Sequence, residues 1–435
     1  MTNWKEYKLG EIGEVITGKT PSKKNPEQWG DIMPFVTPTD FDAYNKNIVG
    51  SIRYLSAEGI NAFQKKVLPQ DSVIVTCIGS QMGKVALNKK ECVTNQQINS
   101  IIPHKEFDSD FIYYVISSMQ DYLRNLATGG STMPIVNKST FEEITIKAPD
   151  LPTQTAIAEI LSSLDDKIEL NNKINQELEN LAQTLFKQWF IDFEFPNENG
   201  KPYKSSGGEM VDSELGEIPK GWEVKPIGDL FEFVIGGDWG KDDIDDEHSE
   251  MNYVIRGTDI PTLKSGSKNG VPYRAIKPSK LKNRQLEVND IIIEISGGSK
   301  RQPTGRTVLI TKEILERLDY NAIPASFCRL IRPKNDFAEF LGIYLTKIYD
   351  EGKTWEYQNQ STGISNFQFK FFESSEILAL PSDLRIIDEF NSLISGFYNL
   401  MTTNENQELT LLRDTLLPKL ISGELEVADI MAEKA

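Results

Sequence analysis

The sequence is poor in the residues that most often carry catalysis. Its 435 positions hold two histidines, His104 and His248, and three cysteines, Cys77, Cys92 and Cys328. Both histidines stand alone, so neither triad chemistry nor a histidine-based metal centre is expected. The cysteines form no CxxC pair and are odd in number, so a disulfide framework is disfavoured and reduced thiols are expected. No apolar run approaches the ~20 residues of a transmembrane helix. The opening MTNWKEYKLG lacks the apolar core of a signal peptide. A cytoplasmic location is the expectation. Net positive charge is also lacking: the total is −17, which taken alone speaks against a nucleic-acid partner.

The distribution of charge points the other way. Residues 1–150 carry 16 basic and 17 acidic side chains, a near balance. Residues 151–195 carry 3 against 8, and residues 382–435 carry 4 against 10, so these two segments supply 11 of the 17 net negative charges. Residues 264–306, by contrast, hold ten Lys or Arg and three acids.

Enzyme motifs are missing or incomplete. GSQMGKV (79–85) is one residue too short for a phosphate loop, and Val85 stands where a Mg²⁺-binding hydroxyl belongs. GGDWG (236–240) is not a dinucleotide fingerprint. No Asn/Asp-Pro-Pro-aromatic segment of the amino-methyltransferase kind occurs, nor a carboxylate–lysine cluster of the nuclease kind. DDIDDEH (242–248) reads as a solvated acidic loop rather than a cation site, and no metal is expected.

What the chain does have is an internal repeat. WKEYKLGEIGEVITG (4–18) lies over WEVKPIGDLFEFVIG (222–236), matching Trp4 to Trp222, Gly10 to Gly228, Glu14 to Glu232 and Gly18 to Gly236. MPFVTPTD (33–40) lies over MNYVIRGTD (251–259), DSVIVTCIGSQMGKVAL (71–87) over DIIIEISGGSKRQPTGRTVLI (290–310), and FEEITIKAP (141–149) over FESSEILALP (372–381). Order is preserved, and the gaps fall in loops where insertions are tolerated. Each copy opens with short β-branched runs between Gly and Pro turns, which predicts a small mixed α/β domain.

Each copy closes with a helical stripe. Ile157, Leu161, Leu164, Ile168, Leu178, Leu181 and Leu185 recur at helical spacing, and Phe390, Ile394, Leu409, Leu412 and Leu416 do so in the second copy. NQELENL (175–181) is echoed by NQELTLL (406–412). Pro152 is expected to open the first helix and Pro418 to end the second. A helix over about 155–190 would run roughly 50 Å. Such a stripe cannot be buried alone, and two in one chain predict an antiparallel coiled coil; two independent domains, each using its helix as core, are the alternative. The organisation expected is a mixed α/β domain at 1–150, a long helix at 151–195, a polar Gly- and Pro-rich linker at 196–220, a second such domain at 221–381, a second long helix at 382–425 and a tail at 426–435. A pseudo-symmetric pair of domains on a spacer suits duplex DNA, whose backbone has local twofold symmetry and whose grooves recur about every 34–36 Å.

The stretch TGGSTMPIVNKSTFEEITIKAPDLPTQTAIAEILSSLDDKIELNNKINQELENLAQTLFKQWF (128–190) resembles the central region of type I restriction–modification specificity subunits. WKEYKLGEIGEVITGKTP (4–21) and IGSQMGKVAL (78–87) resemble parts of their target-recognition domains, while STGISNF (361–367) and LLPKLISGEL (416–425) match the family in the second copy. Almost the whole chain is covered. RIIDEFNSLISGFYNL (385–400) departs from the first helix's QTAIAEILSSLDDKI pattern, which bears on how symmetric partner docking would be. The resemblance implies two pseudo-symmetric target-recognition domains separated by two long helices forming an antiparallel coiled coil, each domain reading half of a bipartite, asymmetric site. It implies a non-catalytic subunit that binds no cofactor. S-adenosylmethionine would belong to methyltransferase subunits, two of them, and ATP and Mg to motor-nuclease subunits. A coiled-coil scaffold binding only proteins is the alternative.

Loop side chains able to meet bases or phosphates are the DNA-binding candidates, with Arg or Lys suited to guanine and Asn or Gln to adenine. In the first domain these are Lys19, Thr20, Lys23, Lys24, Gln81, Lys84, Asn95, Gln96, Gln97 and Lys138. In the second they are Arg256, Lys264, Lys268, Arg274, Lys300, Arg301, Gln302, Arg306, Asn366, Gln368 and Lys370. SKRQPTGR (299–306) is the most basic single segment among them.

Overall fold

The structure, a computed structural model, describes residues 4–42, 46–79, 81–127, 135–298, 302–361, 364–401, 403 and 405–427. The chain divides into two compact units, Met1–Glu169 with Leu409–Ala435, and Leu170–Glu408. The strands that organise the first unit are β1 (Gly13–Thr17), β2 (Val73–Thr76), β3 (Val85–Asn88), β4 (Val93–Thr94) and β5 (Ile98–Pro103). Their counterparts in the second are β6 (Phe231–Gly236), β7 (Ile291–Glu294), β8 (Thr307–Leu309), β9 (Ala322–Pro324) and β10 (Cys328–Pro333). The main helices are α1 (Ser109–Ser117), α2 (Leu151–Phe186), α3 (Ala338–Asp350), α4 (Arg385–Met401) and α5 (Glu405–Ser422).

In the first unit the sheet order is β1-β5-β2-β3, followed by the short strand Asn47–Ile48. The run SVIVTCI supplies β2, and every residue of β2 is buried, as a central strand covered on both faces requires. Asp108 caps α1 by accepting from the Phe111 amide, and α1 buries Phe111, Ile112, Tyr114, Val115 and Ile116. Ile157, Ala158 and Leu161 on the opening turns of α2 share this core with Leu420 of α5. Further along, Asp165 accepts a 2.7 Å hydrogen bond from Arg413. As the position on α2 rises, its partner on α5 falls, so the pair runs antiparallel.

The second unit repeats the arrangement. Its sheet order is β6-β10-β7-β8, and α3 occupies the place of α1. Each unit also has a parallel pair, Met33–Val36 with β4 and Glu250–Ile255 with β9. In the loop before the central strand, Asp71 and Asn289 both take positive φ, 62° and 75°. Asp and Asn are among the few side chains that tolerate this left-handed conformation, so a local requirement of the turn is met the same way in both copies. The later half of α2, continued by the π turn Lys187–Ile191, buries Ala182, Phe186, Trp189 and Phe190. The Phe186 ring lies 4.9 Å from Phe340 of α3, and Phe190 lies 5.0 Å from Phe390 of α4. N-terminal to these aromatics along α2, Asn171 donates to Asn406 (2.9 Å), Asn406 to Asn172 (3.0 Å) and Asn175 to the Met401 carbonyl (3.0 Å). Pairing within this unit is again antiparallel.

Four expectations need correction. Pro418 lies inside α5, which continues to Ser422; burial of Leu420 in the core outweighs the hydrogen bond proline forfeits. The second helical segment is divided into α4 and α5. The stretch 196–220 is folded, with an antiparallel hairpin of Met210–Ser213 and Gly216–Pro219 and a Tyr203 ring stacked on Phe195 at 4.7 Å. Finally, Leu181 and Leu412 face solvent, at 45% and 47% exposure. Ile157, Leu161, Phe390 and Ile394 are buried, whereas Leu164, Ile168, Leu178, Leu185, Leu409 and Leu416 are half-buried. Large aromatic rings, rather than a continuous leucine seam, fill the core around the end of α2.

Candidate nucleic-acid interface

The first domain brings several candidates to one edge of its sheet. Beyond β1 the chain crosses the turn between β4 and β5, where the Gly18 amide donates to Ile98 O (3.2 Å) and the Lys19 amide to Thr94 O (2.9 Å). A Cβ on Gly18 would sit 2.3 Å from the carbonyl oxygens of Thr94 and Asn95, so glycine is what allows the crossing. Thr20 then donates to Gln96 Oε1 at 2.6 Å, and Asn95 to Gln97 Oε1 at 2.9 Å. Two amides are thereby oriented on a fixed turn, although Asn95 itself is buried.

The turn after β2 adjoins this edge. Cys77 N donates to Gln97 O at 2.7 Å, Val136 N donates to Cys77 O at 2.9 Å, and Ile78 bridges Ile135. Gln81 and Lys84 in that turn are half-buried, with positive φ at Gly79 and Gly83 shaping it. Lys138 is exposed at the start of a short helix capped by Asn137 and lies 3.5 Å from Glu142. Lys19, Lys23 and Lys24 are exposed, without a carboxylate partner among the described residues.

The basic stretch of the second domain has a different fate. Arg256 binds Asp259 through two hydrogen bonds, 3.0 and 2.7 Å, and its guanidinium is held above its ordinary pKa chiefly by that partner. The matching first-domain position is Thr37, whose hydroxyl and amide cap Asp40 in the same way. Arg256 is therefore a cap in the fold. Lys264 pairs with Glu179 at 2.7 Å, and Lys268 with Asp319 at 3.3 Å. Arg274 stacks on Trp239 at 4.3 Å and pairs with Asp242, while Arg306 binds Glu294 through two points. Burial of Glu294, 2% exposed, makes this last pair an internal one. Much of the positive charge legible in 264–306 is thus balanced by carboxylates of the same unit.

Four candidates of the second domain remain exposed: Gln302, Asn366, Gln368 and Lys370. Gln302 donates to the Tyr349 hydroxyl at 3.4 Å, and Asn366 pairs with Ser296 across the strands Ile364–Phe367 and Ser296–Gly298. Lys300 and Arg301 lie outside the described residues. Sequence reasoning missed Phe327, which stands 57% exposed in the turn between β9 and β10. The signal lies in the repeat, since TNQQINS (94–100) and PASFCRL (324–330) fill the same turn, but the two segments share too few residues to align by eye.

A mixed α/β fold present twice, each copy resting on an antiparallel helix pair and presenting a fixed turn at its sheet edge, is the frame of a sequence-recognition protein. The chain belongs to the type I restriction modification DNA specificity domain family, whose model matches residues 1–180 and 219–411. It is 30% identical, over 98% of its own length and 95% of the relative's, to the type I restriction enzyme MjaIX specificity subunit of Methanocaldococcus jannaschii. It is 36% identical to the HindI specificity subunit of Haemophilus influenzae over 42% of this chain and 40% of that one. The crystal structure of the type I restriction-modification S subunit from M. genitalium shares the fold, with a TM-score of 0.54 at 16% identity over 96% of each chain. The chain is accordingly a specificity subunit with two recognition domains, the non-catalytic component of its system.

Proposed function

We propose that each recognition domain reads one half of a bipartite, asymmetric DNA site, and that the paired helices set the distance between the halves. The observation that carries this reading is a sheet order repeated in both units while the turns at its edge differ in chemistry. A duplicated frame with unlike readers suits two unlike half-sites. The helices would also dock two methyltransferase subunits, and exposed Leu170, Ile174 and Leu181 on α2 with Leu393 and Leu400 on α4 supply apolar surface suited to a protein partner. A motor-nuclease subunit would complete the restricting form of the complex. S-adenosylmethionine, ATP and Mg would belong to those partners, and the assembly would work in the cytoplasm. No helix among the described residues is long and apolar enough to cross a membrane.

Methylation mapping tests the proposal. The chain is co-expressed with its cognate methyltransferase in a host without adenine methylation, and genomic DNA is sequenced for modified adenines. A two-part motif with a fixed gap, absent without this chain, is the expected result. A soluble complex with an active methyltransferase that leaves no such motif would favour a protein-binding scaffold.

A further inference from the structure

We propose that Phe327 is a specificity-determining residue of the second recognition domain, reading the methyl group of a thymine in the major groove. The proposal rests on the DNA-reading role assigned above. It begins with register. Gly18 N donates to Ile98 O in the first domain, and Gly237 N donates to Cys328 O in the second (3.2 and 3.1 Å). Lys19 N to Thr94 O is matched by Asp238 N to Pro324 O (2.9 and 3.0 Å). Cys77 N to Gln97 O is matched by Ile295 N to Phe327 O (2.7 and 2.9 Å). These bonds agree on one equivalence: Phe327 occupies the place of Gln97. A β-bulge between Phe231 and Phe233 adds one residue to β6, so Gly18 corresponds to Gly237 and not to Gly236.

The equivalence sets an apolar ring where the first domain places an oriented amide. An isolated exposed apolar side chain is ordinary on a protein surface, but this one has a built setting. Its turn is held from both sides: the Phe327 carbonyl also accepts from Ser296 N at 3.3 Å, and Cys328 N closes the turn onto Ala325 O at 2.8 Å. Glycines border it. Gly237 could not carry a Cβ, which would lie 2.1 Å from the Pro324 carbonyl oxygen, and Gly297 has φ 131°. A rigid turn flanked by bare backbone can bring one ring against a groove floor. A phenyl ring offers no hydrogen bond to a base edge, and the apolar feature that distinguishes bases in the major groove is the thymine methyl. An amide at the equivalent place in the first domain suits adenine. The two half-sites would then differ in the chemistry read at corresponding positions.

The test compares the wild-type chain with Phe327→Ala and Phe327→Leu, each co-expressed with the cognate methyltransferase and mapped for modified adenines. The wild type should require thymine at a position in one half-site. Phe327→Ala should lose roughly tenfold in discrimination there with the other half-site unchanged, and Phe327→Leu should retain the preference. On synthetic duplexes, deoxyuridine in place of that thymine should weaken binding by the wild-type complex several-fold and leave the Phe327→Ala complex unaffected. An unaltered motif for Phe327→Ala would overturn the proposal. So would uniform weakening at every position, which would make the ring a wedge or a general contact. A wild-type complex that modifies nothing would overturn the DNA-reading function, and this inference with it.

Discussion

Arg306 and Glu294 form a two-point ion pair within the second recognition domain, at 2.9 and 2.7 Å. The carboxylate is 2% exposed, so removing its partner leaves an uncompensated buried charge. Arg306→Ala is expected to cost about 3 kcal/mol, read as a lower midpoint in urea unfolding. A loss of DNA affinity at unchanged stability would instead show the guanidinium reaching the nucleic acid.

Lys19, Lys23 and Lys24 are placed differently, on exposed loop without a carboxylate partner among the described residues. Neutralising all three to Ala should weaken DNA binding by similar factors on all sequences. The slope of log affinity against log salt should fall by roughly 0.9 for each phosphate that is no longer neutralised. An unchanged slope would remove these lysines from the interface.

The three thiols give a prediction about pH. Burial pushes Cys77, Cys92 and Cys328 up to about 12. Folded, they keep their protons where the unfolded chain loses them, so the unfolded state binds fewer protons at alkaline pH and stability falls as pH rises above about 9. Below that pH the native protein should react slowly with a thiol reagent, and urea should release three reactive groups together. Rapid labelling of the native chain would contradict this burial.

Changing α2 by whole turns, with a matching change in its antiparallel partner, should alter the gap between half-sites while leaving both half-sequences intact. Methylation mapping reads the gap directly. An unaltered gap would refute the spacer role of the helices.

Replacing residues 222–381 with the corresponding domain of a related subunit should change one half-site only. Altered sequences in both halves would show that the domains do not read independently.

The repeat, the helices and the mixed fold were legible because they rest on local pattern: the β-branched run of β2 and the helical spacing of Ile157 and Leu161. The interface was less legible because ion pairing is not local. Lys264 finds Glu179 from 85 positions away and Arg274 finds Asp242 from 32, so a run of basic residues did not translate into free positive surface. Phe327 was hidden because TNQQINS (94–100) and PASFCRL (324–330), which fill the same turn, share too few residues to align. Leu181 satisfied the helical spacing yet faces water, because the bulky rings of Phe186, Trp189 and Phe190 determine which face of α2 turns inward there; Leu412 on α5 is exposed as well.

The amide cluster of Asn171, Asn172 and Asn406 has a consequence for precision. Leucines are interchangeable neighbours, and an apolar seam alone would tolerate one helix sliding a turn along another. Amides that pair with amides favour one alignment, since a slip would break the hydrogen bonds that hold the buried Asn406 between Asn171 and Asn172. If the helices set the distance between half-sites as proposed, that distance needs a single value, and these three asparagines are placed to hold the helices in one register.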